Sequence, residues 1–231
     1  PRSTRKESSA ASDVYKRQIC IFAIFCVKLN FNTEAIMTDQ IGTTENNSLI
    51  TLIAERQSFP RLKEPGPTEH ELKTVLQASM RAPDHMRLRP WRFLIIQKDG
   101  LTALGNLFVK HTLASNPNSS DEVLYKAKHK AFRAPVILVG IASIKEHPKV
   151  PHAEQILSAG SVLTNVGLAL YAIGLGSVWR TGDYAYSDIV RSGLGISKNE
   201  EIIGFVYMGT PVRRDRPKTY VSHEDHTAYW P

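Results

Sequence analysis

Apolar positions recur at helical spacing in residues 48–56, at Leu49, Leu52 and Ile53. After a Pro-rich connection at 59–67, Leu72, Val75 and Leu76 share one face of a second helical pattern. Thr68 stands three residues before Glu71, a hydroxyl–carboxylate pairing that satisfies the free N–H groups at a helix start, so this helix is predicted to run from there to about Met80. Pro83 and Pro90 bracket a loop at 81–90, and the following WRFLIIQ at 91–97 reads as a strand. Residues 101–114 carry an amphipathic helical pattern, and Ser119 with Glu122 predicts a capped start for another helix reaching about Phe132. VILVGIA at 136–142 is continuously apolar, as expected of a strand buried on both faces. A long helix rich in Ala, Gly and Ser is predicted over 152–173. Ser158, Ser161, Thr164 and Asn165 interrupt its apolar surface, which favours a packed central helix over a membrane span. GSVWR at 176–180 is a short strand, 187–192 a short helix, and IIGFVYM at 202–208 a strand expected to end at Gly209-Thr210-Pro211. Helices and strands mix without strict alternation or internal repeat, which predicts a single α+β domain.

The first 36 residues stand apart from this pattern. Residues 1–18 (PRSTRKESSAASDVYKRQ) have no helical or strand period, and they match an in-frame translation of a DNA-sequencing library adaptor. ICIFAIFCV at 19–27 imitates the apolar core of a signal peptide, but its basic flank falls in the adaptor-like stretch and no small-x-small cleavage site follows. It also falls well short of the roughly 20 residues that span a bilayer. Residues 1–36 are therefore expected to be artefactual and outside the fold, with Met37 the expected start and 37–231 a single domain.

This division changes the charge. The whole chain carries 29 Lys and Arg against 22 Asp and Glu, a formal +7. Six of those bases and three of those acids fall in residues 1–36, which leaves +4 for the remainder and weakens the case for a nucleic-acid partner. Both cysteines, Cys20 and Cys26, are also in that segment, so residues 37–231 have neither a disulfide nor a thiolate metal site, as suits a cytoplasmic protein. No GxGxxG, GxxxxGK[ST], HExxH or GxSxG motif is present. His223 and His226 have metal-ligand spacing but no distant partner motif, and no metal is expected.

What is unusual is the supply of cations in short loops. Arg56-Gln57-Ser58 ends the first helix; Arg81, His85, Arg87, Arg89 and Arg92 surround the loop at 81–90; Trp179-Arg180-Thr181 ends a strand; Arg213-Arg214 follows the last strand. Guanidinium forks suit an anionic ligand such as a phosphate. By spacing alone, Arg-rich solvated loops account for the same pattern, and Arg87, Arg89 and Arg92 are read as a solvated face.

ERQSFPRLKEPGPT (55–68), ASMRAPDHMRLRPWRF (78–93), AFRAPVILV (131–139), KVPHAEQILSAG (149–160), GLGSVWRTG (174–182) and IIGFVYMGTP (202–211) together resemble the FMN-dependent nitroreductase family, in particular its YdjA-like NAD(P)H nitroreductase branch. The match runs in register from about residue 48 to 211. The resemblance implies a mixed central β-sheet flanked by helices, in an intertwined homodimer with FMN at the subunit interface. It implies that Arg56, Gln57 and Ser58 hold the phosphate and ribityl end, that Arg81 and His85 reach the flavin from the other subunit, and that Trp179, Arg180 and Thr181 line the isoalloxazine. Arg214 stands where the family often has a cation near the phosphate, and 169–174 lie in the region linked with the nicotinamide nucleotide. The family commonly reads Arg-Arg-Ser where this chain has Arg56-Gln57-Ser58, which removes one positive charge from the flavin site.

The activity implied is ping-pong hydride transfer from NAD(P)H through FMN to a nitroaromatic, quinone or similar small oxidant. No catalytic side chain is required, because the chemistry is the cofactor's, and Arg180 is the residue expected to tune the ring. The same resemblance leaves open a flavin-dependent reductive dehalogenase or dehydrogenase of the superfamily, and a flavin-binding protein without turnover.

Overall fold

The computed structural model describes residues 48–214 and 221–231. The expectations for residues 1–36 and for a start at Met37 lie outside the described residues. Five strands form one sheet: β1 (Leu62–Lys63), β2 (Trp91–Gln97), β3 (Val136–Ser143), β4 (Gly176–Arg180) and β5 (Glu200–Pro211). Seven α-helices accompany them among the described residues: α1 (Ser48–Glu55), α2 (Glu69–Ser79), α3 (Asp99–Ser115), α4 (Asp121–His129), α5 (His152–Ala172), α6 (Asp183–Tyr186) and α7 (Asp188–Gly193).

The α+β class is as the pattern predicted, but among the described residues the sheet is not the mixed one that the resemblance implied. β3 lies between β2 and β5, β5 also bonds β4 and β1, and each of these pairings is antiparallel. The apolar pattern gives burial and period but carries no information about strand direction, which is set by connections this pattern does not describe. β3 is buried from Val136 to Ala142, as its unbroken apolar run required. Its residues alternate between two cores. Ile137, Val139 and Ile141 pack with Leu104, Phe108, Phe205 and Tyr207 on one face, whereas Val136 and Leu138 pack with Val75, Leu163, Val166, Leu170 and Met208 on the other. α3, with Ala185 of α6 and Val190 of α7, covers the first face, and α4 packs on α3; α2 and α5 cover the second. Each large side chain fully removed from water here contributes about 1.5–3 kcal/mol.

Local chemistry sets the boundaries. Thr68 Oγ1 accepts the Glu71 N–H at 3.2 Å and the Glu71 carboxylate accepts the Thr68 N–H at 2.8 Å, the reciprocal cap that the spacing predicted. The second predicted cap does not form. Ser119 donates its hydroxyl to the Asn116 carbonyl within a turn, so α4 starts at Asp121 behind Ser120 and gives way to a 3-10 turn at Lys130–Phe132. β5 ends at Pro211, within the Gly209-Thr210-Pro211 stop, and its last two residues, Thr210 and Pro211, pair with Lys63 and Leu62 of β1, a strand too short to show a period. The predicted short helix is α7, capped by Ser187, with α6 as an additional turn before it.

α5 is, among the described residues, the one helix long and apolar enough to cross a membrane by length and composition. Here it lies along β3, β4 and β5. It ends in a turn in which the Gly174 N–H bonds the Tyr171 carbonyl and the Leu175 N–H bonds the Leu170 carbonyl. Gly174 takes φ +81°, a conformation a Cβ would penalise, and the chain turns directly into β4.

Candidate flavin site and a second cavity

α1 ends at Glu55, and the segment after it is held against β4. The Phe59 N–H bonds the Ser177 carbonyl at 2.9 Å, and the buried Phe59 ring stacks on Tyr171 of α5 with centroids 6.4 Å apart. This fixes Arg56 and Ser58 at the rim of a 180 Å³ cavity whose other walls are Leu163, Thr164 and Gly167 of α5 and Ser177 to Trp179 of β4. Gln57 lies half-buried between them. Arg214, beyond the end of β5, donates to the Gly174 carbonyl at the end of α5. Burial pushes the Tyr171 phenol up, and the positive charges of Arg214 and Arg56 pull the other way.

Trp179 is set by a bulge. Between Gly140 and Ile141 the β3–β5 register shifts, leaving Ile203 as the extra residue. The Trp179 indole N–H donates to the freed Ile203 carbonyl at 3.0 Å. A Cβ on the adjacent Gly204 would lie 1.9 Å from that nitrogen, so the ring and the glycine require one another. Trp179 keeps 41% of its surface exposed.

Cross-strand partners share a sheet face, so Trp179, paired with Val206, points to the α5 side and Arg180, paired with Phe205, to the α3–α4 side. The Arg180 guanidinium lies 5.8 Å from the Tyr207 ring centre, and its Nε is buried with no hydrogen-bond partner among the described residues. Arg180 and Thr181 line a larger cavity of 880 Å³ on that side, which Trp179 also borders. Burial raises the Tyr207 phenol to about 12, against the charges of Arg133 and Arg180.

The residues singled out from sequence thus fall into three places. Arg56, Ser58 and Trp179 share one cavity, with Gln57 between the first two in the chain, and Arg214 is bonded to the Gly174 carbonyl at the end of α5. Arg180 and Thr181 line the other cavity. Arg81 and His85 are in neither: Arg81 lines a cleft with Asp84, Arg87 and Arg89, and His85 Nδ1 lies 2.6 Å from a Glu154 carboxylate oxygen. The 81–90 loop that carries them holds Met86, Arg87 and Arg89 at φ 48–59°, with the Arg89 N–H bonded to the Asp84 carboxylate. Three non-glycine residues in the left-handed region within four positions concentrate backbone strain here.

Arg92 is not a solvated-face residue. It forms a bidentate pair with the buried Glu200 at 2.6 and 2.7 Å, and Glu200 also accepts the Ser143 hydroxyl and the Ser197 N–H. The Arg92 guanidinium and these donors hold the Glu200 carboxyl down at about 2. Two partners 108 residues apart leave no local signal in the chain. Among the described residues, no group of three or more His, Cys, Asp and Glu side chains is placed to hold a metal ion.

A family model described as the nitroreductase family matches residues 53–210. The chain belongs to the nitroreductase family. It is 38% identical over 162 residues to an Escherichia coli K12 protein provisionally named NAD(P)H nitroreductase YdjA, covering 70% of this chain and 87% of that one. The nitroreductase fold is shared with a nitroreductase-like family protein from Bacillus cereus, at TM-score 0.69 and 19% identity over 82% of this chain and 99% of the other. It is shared as well with a Desulfovibrio desulfuricans protein described as a nitroreductase in complex with FMN, at TM-score 0.63 and 18% identity over 81% and 99% of the two chains.

Proposed function

We propose that this nitroreductase-family chain is an FMN-dependent NAD(P)H oxidoreductase, working in the cytoplasm as a homodimer on a nitroaromatic, quinone or similar small oxidant, with residues 37–231 as its functional unit. The observation that carries the reading is a cavity lined by Arg56, Ser58 and Trp179, with the Arg214 guanidinium anchored on the Gly174 carbonyl at the turn that joins α5 to β4. Two guanidinium forks and a hydroxyl suit a phosphate, and the cavity has no carboxylate in its wall to oppose one. In this reading Arg56 and Arg214 hold the phosphate, Gln57 and Ser58 hydrogen-bond the ribityl chain, and Trp179 borders the ring edge, while Arg180 and Thr181 line the other cavity. Bound there, FMN supplies the redox chemistry, accepting hydride from NAD(P)H and delivering it to the oxidant.

The dimer belongs to the proposal for two reasons. The 180 Å³ enclosed beside Arg56 is below the roughly 300–1,000 Å³ of small-molecule sites, so one chain supplies part of a site. Leu49, Ile50 and Ile53 on α1 and Leu157 on α5 expose 61%, 42%, 53% and 69% of their surface, an apolar area that a second copy of these helices would cover. Arg81 and His85, remote from Arg56 within the chain, then reach the flavin from the second subunit.

Visible absorption of the purified protein with added FMN, before and after anaerobic NADPH, tests this. Retained flavin bands that bleach with NADPH are expected. Protein that retains no bands sinks the flavin reading, and bands that neither NADPH nor NADH bleaches point to binding without turnover.

A further inference from the structure

The 880 Å³ cavity on the α3–α4 face of the sheet is larger than the Arg56 cavity and lies on the opposite side of β4 from the Trp179 side chain. Its charge is one-sided: His111, Lys126, Lys130, Arg133 and Arg180 line it against a single acid, Asp183. Lys126 is occupied by Glu122, and Lys130 donates to the Tyr184 hydroxyl while lying 4.7 Å over that ring. Arg133 and Arg180 take part in no ion pair among the described residues, and both line the cavity together with Tyr207, whose ring centre lies 5.8 Å from the Arg180 guanidinium. The Arg180 Nε–H is buried and has no acceptor among the described residues. A donor kept from both water and protein carries a cost that an oxyanion acceptor would remove. Phe108 and Tyr184, stacked at 4.1 Å, add a flat apolar wall.

We propose that this cavity binds a small aromatic oxyanion, its carboxylate or phosphate held between Arg133 and Arg180 and its ring against the aromatic wall. Two nearby guanidinium forks select a planar or tetrahedral oxyanion over a halide. The volume falls in the range of sites that enclose a whole small molecule. The side-chain determinants lie across the sheet from Arg56, so binding does not depend on flavin being held there.

Isothermal titration of the protein, with and without added FMN, tests the proposal with two probes: adenosine 2′-monophosphate for a phosphate source and 2-naphthoate for a carboxylate source. Saturable binding of either probe is expected, with the probe that binds identifying the source. Arg133→Gln, a substitution at an exposed position, should weaken it roughly 10- to 100-fold, as loss of a charged hydrogen-bonding partner does. Arg133→Lys should fall between the two, because it keeps the charge but loses the fork. Absence of saturable binding with both probes overturns the proposal. So does equal affinity in Arg133→Gln, or binding abolished by FMN, which would merge this cavity with the flavin site. Failure of the protein to hold FMN leaves this outcome unaffected, so the two readings fail separately.

Discussion

Replacing Glu200 with Gln removes one carboxylate from the most connected polar cluster among the described residues. The side chain is 9% exposed and accepts two bonds from Arg92, one from Ser143 and one from the Ser197 N–H. Its carboxyl is held at about 2 against an ordinary 4.5. A depression of this size corresponds to about 3 kcal/mol of stability at neutral pH, at roughly 1.4 kcal/mol per unit. That contribution is complete above pH 4.5 and is lost as pH falls from there towards 2, because over that range the unfolded chain's carboxyl takes up a proton while the folded one stays ionised. Glu200→Gln should therefore cost about 3 kcal/mol at pH 7, near the lower end for breaking a buried pair. For a chain of this size that is about 6–12 °C in Tm. Urea titrations of wild type and variant at pH 7, 5, 4 and 3 give the curve directly. The two proteins should differ fully at pH 7 and 5 and converge towards pH 3. A deficit below about 1 kcal/mol at pH 7, or one that stays constant down to pH 3, would refute the reasoning.

The flavin cluster gives parallel expectations. Arg56→Ala and Arg214→Ala should each weaken FMN binding about 10- to 100-fold, the loss of one charged hydrogen-bonding partner, as read by flavin fluorescence on dilution; stoichiometric flavin in both variants would contradict the assignment. Gly204→Ala should cost about 1–3 kcal/mol by overpacking and shift Trp179 emission, since its Cβ would meet the indole nitrogen at 1.9 Å. An unchanged spectrum and melting curve would show that the bulge accommodates a side chain. Gln155→Ala should cost about 1–3 kcal/mol in thermal unfolding, because the buried amide satisfies the Lys145 N–H and carbonyl and the Val150 carbonyl, and an unshifted Tm would rule that role out.

How far the chain could be read depended on the range of each interaction. The start of α2 was visible because Thr68 and Glu71 cap one another three residues apart. The long α5 was visible because its period persists over many residues, and the buried β3 because its apolar run is unbroken. Ser119 and Glu122 offered the same local signal as Thr68 and Glu71, and there a turn at Asn116 took the hydroxyl first. β1 and the antiparallel sense of the sheet depend on pairings between distant segments, and no period reports them. The site divided in the same way. The cations at 56, 180 and 214 were visible as loop residues, but the separation of Trp179 from Arg180 follows from their register against β5. Lys130 and Arg133 drew no notice, because what distinguishes them is a cavity assembled from α3, α4 and β4 together.

The alternation along β4 makes that strand an addressing device for anyone who would re-engineer this protein. Trp179 and Arg180 are neighbours in sequence yet serve compartments on opposite sides of a wall one strand thick. A single-residue insertion before Trp179 that kept the strand paired would exchange the two deliveries, sending the guanidinium to the Arg56 side and the indole towards Tyr207. Point substitutions can vary each compartment alone, whereas any change in strand length rewrites both at once.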